Sequence, residues 1–97
     1  MYALFIEVDT GGSDAKAGVA NSQQNAVPRF REAGARAAYW LGDLSDKSRR
    51  VAIVVFDTEE AARAQLEAFP AVGEAPLGAP AGVKIRSVDV AEVIVSL

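Results

Sequence analysis

The segment RRVAIVVFD, residues 49–57, constrains the fold of this chain more than any other stretch. β-branched residues run through it, and such a run is typical of a strand. Side chains alternate between the two faces of a strand, and here both faces are apolar. The two faces consist of Val51, Ile53 and Val55, and of Ala52, Val54 and Phe56. We therefore expect this strand to be covered on both sides.

Two earlier segments also have the pattern of strands. YALFIEVD, residues 2–9, alternates with period two, which is the period of a strand. ARAAYWLG, residues 35–42, precedes the polar connection DLSDKS, residues 43–48. This connection leads directly into the 49–57 strand, so the sequence predicts a β-hairpin there.

Two segments have the pattern of helices. The first begins near Asp14, whose carboxylate can cap a helix, and ends at Gly34. Pro28 lies inside its apolar stripe, so we expect the helix to kink there or to restart with Pro28 in its first turn. The second helix, residues 58–69, begins with Thr58 as its N-cap.

The end of the chain combines a loop with a last strand. Residues 70–82 are rich in proline and glycine, which predicts an irregular loop that either caps a site as a lid or merely connects two elements. VKIRSVDVAEVIVSL, residues 83–97, predicts a long strand. Because its apolar phase shifts along its length, we expect a β-bulge near Ser87 or Ala91.

The order β-α-β-β-α-β predicts a single α+β domain over residues 1–97 with the ferredoxin-like plait, an antiparallel sheet with two helices on one face. Two helices cover only one face of the sheet, so we expect a second copy of the chain to cover the other. The prediction is a homodimer whose sheets pack face to face, with the long last strand reaching toward the partner. The alternative is a monomer with a partly apolar sheet surface.

Composition argues against several classes of partner. Ten basic and thirteen acidic residues give a net charge of −3, and Arg49-Arg50 is the only adjacent pair of cations, which argues against nucleic-acid binding. The N-terminal segment lacks the pattern of a signal peptide, and the apolar run VAIVVF is too short to span a membrane. With no cysteine in the chain, these features predict a soluble, cytoplasmic protein without a membrane partner.

The chain also has no histidine, which limits the chemistry that it can perform. General-base catalysis falls to Asp, Glu, Tyr or Lys, and neither a Ser-His nor a Cys-His nucleophile can be built. The glycine-containing segment TGGSD has neither the lysine of a P-loop nor a dinucleotide-binding spacing. No cofactor and no metal site is predicted.

The stretches PRFREAGARAAYWLGD and VAIVVFDTEEAARA resemble the antibiotic biosynthesis monooxygenase-like branch of the dimeric α+β barrel superfamily. In that group a helix with an internal proline runs to a glycine, a hairpin follows, and the third strand leads into a helix start of the type F-x-[ST]-x-E-E-A-A. The matching residues are Pro28, Gly34, Phe56, Thr58, Glu60, Ala61 and Ala62. The match in topology covers nearly the whole chain.

The resemblance implies a dimer of ferredoxin-like plaits with a ligand cavity between sheet and helices in each subunit. Members of the group include cofactor-free oxygenases of polycyclic quinols or anthrones and haem-degrading enzymes, beside many without an established activity. For the haem-degrading branch, the resemblance implies a site in which a histidine is the axial ligand of the haem. Because this chain has no histidine, that reading is largely excluded.

The enzyme hypothesis is therefore a cofactor-independent monooxygenase that acts on a small, electron-rich aromatic substrate of the quinol or anthrone type. The predicted partner besides a second copy of the chain is accordingly a small apolar or aromatic ligand. Trp40 is a candidate for the aromatic wall of the site, and Tyr39 is a candidate for a phenol group that lines it. The candidates for hydrogen-bond donors are Asn21, Asn25 and Arg36. The family's oxygenases use these residue types in such roles.

Structural roles compete with each of these assignments. Tyr39 and Trp40 are adjacent in a strand, so at most one of them faces a given cavity. The asparagines can lie on a solvated helix face, and Arg36 can be a surface cation. The second hypothesis is a non-catalytic dimeric module that binds a small ligand or is merely structural. A sizeable pocket where Trp40 or Tyr39 meets a polar donor favours a ligand site, whereas a filled interior favours a structural module.

Overall fold

The computed structural model describes residues 1–97 and contains four strands and two helical regions, the first of them interrupted. The elements in chain order are β1 (Tyr2–Asp9), α1 (Ala15–Asn21), a π-helical turn (Ser22–Ala26), α2 (Val27–Glu32), β2 (Ala37–Gly42), β3 (Arg49–Phe56), α3 (Glu59–Ala68) and β4 (Lys84–Glu92). The first predicted helix corresponds to α1, the π-helical turn and α2 in succession.

The four strands form one antiparallel sheet with the order β2-β3-β1-β4. The strand predicted from RRVAIVVFD is β3, which lies inside the sheet between β1 and β2. The chain is thus a small α+β domain whose arrangement is compatible with a ferredoxin-like plait.

Strand register fixes which side chains face the helices. Leu4 of β1 lies opposite Val54 of β3, and Ile6 lies opposite Ala52. These four residues belong to the buried core together with Phe30 of α2, Phe56 of β3 and Ala62 of α3. The predicted alternation in β1 and β3 is therefore confirmed, and one of the two apolar faces of β3 builds the core between sheet and helices.

The first helical region changes its geometry just before Pro28. The backbone N–H of Val27 donates to the carbonyl of Ser22, five residues earlier, which widens the helix by one residue in this turn. Pro28, which has no N–H to donate, then lies in the first turn of α2. The prediction that the helix restarts at this proline is confirmed.

Both helical regions begin and end as their sequences predict. The carboxylate of Asp14 accepts from the Lys16 N–H, and the hydroxyl of Thr58 accepts from the Ala61 N–H, so each caps its helix. Gly34 has a φ of 93° and follows the last turn of α2. The Ala35 N–H donates to the Phe30 carbonyl across this glycine, which closes a Schellman motif.

The last strand is shorter than predicted. Its register against β1 shifts between Glu7 and Val8, where Arg86 is the extra residue, so the predicted bulge beside Ser87 is present. The strand ends at Glu92, and the prediction of a strand up to Leu97 is wrong for residues 93–97. The Val93 N–H still donates to the Met1 carbonyl at 2.9 Å, but the side chains of residues 94–97 are exposed.

The face of the sheet away from the helices has no covering layer within the chain. This outer face carries Phe5, Ile53, Val55, Tyr39 and Leu41. Tyr39 and Leu41 are exposed, and the other three are half-buried. At one end of the face Arg49 bonds to Glu7 at 2.9 Å and to Asp43 at 3.4 Å. No helix of the chain combines the length and the apolar character needed to cross a membrane.

Candidate functional site

A cavity of about 340 Å³ lies between the inner face of the sheet and the first helical region. This volume is at the lower end of the range for small-molecule sites, roughly 300–1,000 Å³. Eleven of the 21 residues that line it are hydrophobic. Its three walls are the strands β1, β2 and β3, the helical residues 18–30, and the loop between α3 and β4.

The sheet wall of the cavity is apolar and aromatic. Ile6 and Val8 of β1, Ala52 of β3 and Trp40 of β2 line it. The Trp40 ring packs on the Phe30 ring of α2 at a centroid distance of 6.4 Å and an interplanar angle of 41°. Trp40 is 38% exposed, so it is accessible from the cavity and is not a core residue. The pair forms an aromatic corner where sheet and helix meet.

The helix wall supplies amide groups. Asn21 ends α1 and Asn25 lies one turn later in the π-helical turn, and both line the cavity. The Asn25 side-chain N–H donates to Oδ1 of Asn21 at 2.6 Å, which orients both amides. The hydroxyl of Ser22 donates back to the Gly18 carbonyl at 3.1 Å. The two asparagines therefore do not lie on a purely solvated face.

The loop predicted for residues 70–82 forms the third wall. Pro76, Leu77, Ala79 and Pro80 all line the cavity. Between them Gly78 lies against the amide pair of the helix wall, since a Cβ at this position would lie 2.8 Å from Oδ1 of Asn21 and 2.9 Å from Nδ2 of Asn25. Of the two readings of this loop, its position over the cavity agrees with a cap.

The loop is held at its base by pairing with the start of β4. The Gly73 N–H donates to the Ile85 carbonyl, and the Ile85 N–H donates to the Glu74 carbonyl, each at 2.8 Å. Between this base and Val83 the loop contains only short-range turns, such as the bond from the Ala79 N–H to the Pro76 carbonyl. The part over the cavity is consequently fixed less firmly than its base.

Two arginines that sequence analysis did not select also line the cavity. Arg50 precedes Val51 in β3 and lies on the inner face of the sheet, opposite Val8. Arg29 of α2 lies with its guanidinium carbon 5.2 Å from the centroid of Phe30 and 5.6 Å from that of Phe69. The alternation of β3 could have identified Arg50, because it shares a face with Ala52. No local pattern distinguishes Arg29 from the other arginine of its helix.

The remaining predicted site residues lie elsewhere. Tyr39 is on the outer face of the sheet, opposite Ile53, and is 60% exposed. Arg36 forms an ion pair with Asp57 at 2.9 Å and borders a second, smaller cavity of about 200 Å³ on the far side of Trp40. The structure therefore brings Trp40, Asn21 and Asn25 together at the main cavity, and separates Tyr39 and Arg36 from them.

The lining of the main cavity defines what it can bind. It offers an aromatic corner, amide and hydroxyl groups, and two guanidinium groups, but no carboxylate side chain. A flat apolar molecule with an electron-rich or charged oxygen matches this combination. No group of three or more His, Cys, Asp or Glu side chains in the chain is placed to hold a metal ion.

Comparison of the chain with protein-family models, with curated proteins and with solved structures finds no match. The family suggested by the sequence motifs therefore remains a resemblance.

Proposed function

We propose that this protein is a cofactor-independent monooxygenase-like protein that acts on a small aromatic molecule of the quinol or anthrone type. The observation that carries the proposal is the main cavity, in which Trp40 meets the amides of Asn21 and Asn25 and the guanidinium of Arg50. An aromatic wall with converging donors from three elements suits a flat substrate with a polar oxygen.

The reaction demands little from the protein. An anthrone loses a proton to become an electron-rich enolate, which gives electrons to O₂. One oxygen atom enters the ring carbon, that carbon loses its two hydrogens, and the second oxygen atom leaves as water. Cationic donors in an apolar cavity stabilise the enolate and so lower the pKa of the bound substrate. In this proposal Arg50 and the two asparagines supply that stabilisation, and Trp40 supports the rings.

A non-catalytic dimeric ligand-binding module is the second candidate. The observation that favours it is that neither a carboxylate nor an imidazole lines the cavity, so no side chain there is suited to remove the substrate proton at neutral pH. Water would have to accept this proton in the oxygenase. Binding without turnover requires only the aromatic corner and the donors.

Turnover of an anthrone under air separates the two candidates. We expect oxygen consumption above the rate without protein, and about a two- to tenfold rise in KM for Trp40→Phe because a smaller ring contacts the substrate less. Tyr39→Phe is the matched control, since its ring lies on the outer face of the sheet. Binding without oxygen consumption supports the second candidate. Equal rates for the wild type and both variants at substrate concentrations below KM would leave the oxygenase without support.

We further propose that two copies of the chain pack outer face to outer face, as in a dimeric α+β barrel. Phe5, Ile53 and Val55 offer an apolar centre to this contact, and the charged cluster around Arg49 borders it. The exposed apolar side chains of the tail, Ile94 and Val95, add surface that a partner can cover.

Mass measurement in solution tests the dimer. We expect a dimer for the wild type and a monomer for Ile53→Lys, because a lysine at the centre of the contact would be buried without a partner charge. Val72→Lys is the matched control, since Val72 is 66% exposed in the loop that caps the cavity. A wild type that is monomeric at micromolar concentration would refute this packing.

A further inference from the structure

We infer that the ligand of the main cavity carries a carboxylate on an aromatic ring system, and that Arg50 and Arg29 bind this carboxylate. The inference rests on the proposed function only in that the ligand occupies the same cavity. It does not require that the ligand is oxidised. The carboxylate is negatively charged already in the free ligand, whereas the charge of the enolate arises only during the proposed reaction.

The first line of support is the charge balance of the cavity. Its lining contains two guanidinium groups and no acidic side chain. Four of the seven arginines are paired with carboxylates at 2.6–3.4 Å: Arg36 with Asp57, Arg49 with Glu7 and Asp43, Arg63 with Glu59, and Arg86 with Asp9. Arg29, Arg31 and Arg50 have no carboxylate within 4.0 Å. Arg31 is exposed and lies outside the main cavity, whereas Arg29 and Arg50 both line it, so these two are available to an anionic ligand.

The second line is the placement of Arg50. Its guanidinium lies against the backbone of Gly18 in α1, where a Cβ at residue 18 would overlap Nη1 of Arg50. Because residue 18 is a glycine, the guanidinium can cross from the sheet to the helix wall. There it shares the cavity with the amides of Asn21 and Asn25. A carboxylate beside Arg50 would thus be within a polar corner, while its ring extends toward Trp40.

The third line is the environment of Arg29. Its guanidinium is packed between the rings of Phe30 and Phe69, and its Nε atom is buried with no hydrogen-bond partner. Stacking on aromatic rings holds the plane of the group but leaves its N–H edge free to donate. A buried donor without a partner is unfavourable, so a shift of the Arg29 side chain that brings this N–H to an anion in the cavity would remove a cost already present in the fold.

The chemistry of the two cations favours a carboxylate over other groups. A guanidinium presents parallel N–H donors that match the two oxygens of a carboxylate. Arg29 is restricted by its two ring contacts, so Arg50 is the cation with freedom to form the bidentate pair. One flexible cation and one fixed cation suit a planar monoanion, and the apolar sheet wall suits the rings that carry it.

Fluorescence of Trp40, the only tryptophan of the chain, reports binding in this cavity. Two probes of similar shape are compared at neutral pH: anthracenecarboxylate and anthracenemethanol, each substituted on the central ring. We expect the carboxylate to bind the wild type about ten- to hundredfold more tightly than the alcohol, the range that a charge-assisted hydrogen bond contributes. The preference should shrink at high salt because screening weakens the attraction.

Variants then locate the charge that is responsible. Arg50→Met keeps an unbranched apolar stem but lacks the guanidinium, so it should remove most of the preference for the carboxylate, while the affinity for the alcohol changes little. Arg63→Met lowers the net charge by the same amount on the exposed side of α3 and should keep the preference. If Arg50→Met does not fold, the comparison of the two probes on the wild type still decides.

The outcomes distinguish this inference from the proposed function. Equal affinities of the wild type for both probes would overturn the carboxylate assignment and leave aromatic binding in the cavity intact. A preference that persists undiminished in Arg50→Met would overturn the role of Arg50, whatever the result for Arg63→Met. If neither probe changes the fluorescence of Trp40, both the inference and the proposed aromatic site are wrong.

Discussion

Replacing Gly18 with alanine should stabilise the fold and weaken ligand binding at the same time. Gly18 lies inside α1 and does not have a positive φ, so alanine can adopt the same backbone conformation. The three atoms nearest to an added Cβ all belong to the guanidinium of Arg50. This group is the end of a flexible side chain, so it can move aside without a shift of the backbone.

The expected gain in stability follows from helix propensity. Alanine in a helix interior is more favourable than glycine by roughly 0.5–1 kcal/mol. For a domain of this size each kcal/mol corresponds to about 4–8 °C in the melting temperature, so we expect a rise of about 2–8 °C. Thermal unfolding followed by circular dichroism measures this shift.

The expected loss in affinity follows from the displaced guanidinium. With a methyl group at residue 18, Arg50 cannot rest on the helix wall, and the affinity for anthracenecarboxylate should fall while that for anthracenemethanol stays nearly constant. Ala17→Gly is the matched control, because Ala17 is exposed in the same helix. This substitution should lower the stability by about as much as Gly18→Ala raises it, and it should leave the affinity unchanged. A Gly18→Ala protein that is less stable than the wild type, or that keeps its full preference for the carboxylate, would refute the contact between Arg50 and Gly18.

Two further predictions concern the core and the charged end of the outer face. Leu4 is fully buried, so Leu4→Ala should lower the free energy of unfolding by about 2–5 kcal/mol. Leu44 is 92% exposed, so Leu44→Ala should change this free energy by less than about 0.5 kcal/mol. Chemical denaturation measures both values. Hydrogen bonds from the backbone and hydroxyl of Ser45 hold the pKa of Asp43 below its ordinary value of 3.8. The folded state therefore favours the charged carboxylate, and its contribution is fully present above pH 3.8 and is lost as the pH falls through the lower pKa of the folded state. Below pH 3.8 the free energy of unfolding of Asp43→Ala should accordingly depend less on pH than that of the wild type. Parallel pH profiles of the two free energies would contradict the lowered pKa of Asp43.

Much of the fold could be predicted because it depends on local patterns. The alternation of β1, the proline that restarts the first helical region and the Thr58 cap each act within a few residues. The end of β4 could not be predicted in this way. Residues 93–97 have the composition of a strand, but a strand also needs a neighbour to pair with, and that neighbour is a property of the sheet.

The candidate site was only partly predictable. Alternation in β2 requires that Tyr39 and Trp40 point to opposite faces, but it cannot say which of them faces the helices. The register with β3 decides this, because Trp40 lies opposite Ala52 and Tyr39 opposite Ile53. Arg36 is separated from the main cavity for a similar reason, since its ion pair with Asp57 links residues 21 positions apart in the sequence.

The kinds of element, their order, the caps and turns between them, and the absence of histidine and cysteine chemistry could all be predicted before the fold was known. These properties follow from side-chain period, backbone preference and composition, which act over short distances along the chain. That Trp40, Arg29 and Arg50 share one cavity with Asn21 and Asn25 under the 70–82 loop follows instead from the folded structure. Such a meeting depends on strand register and on the packing of helix and loop over the sheet, and these contacts join residues that are far apart in the chain.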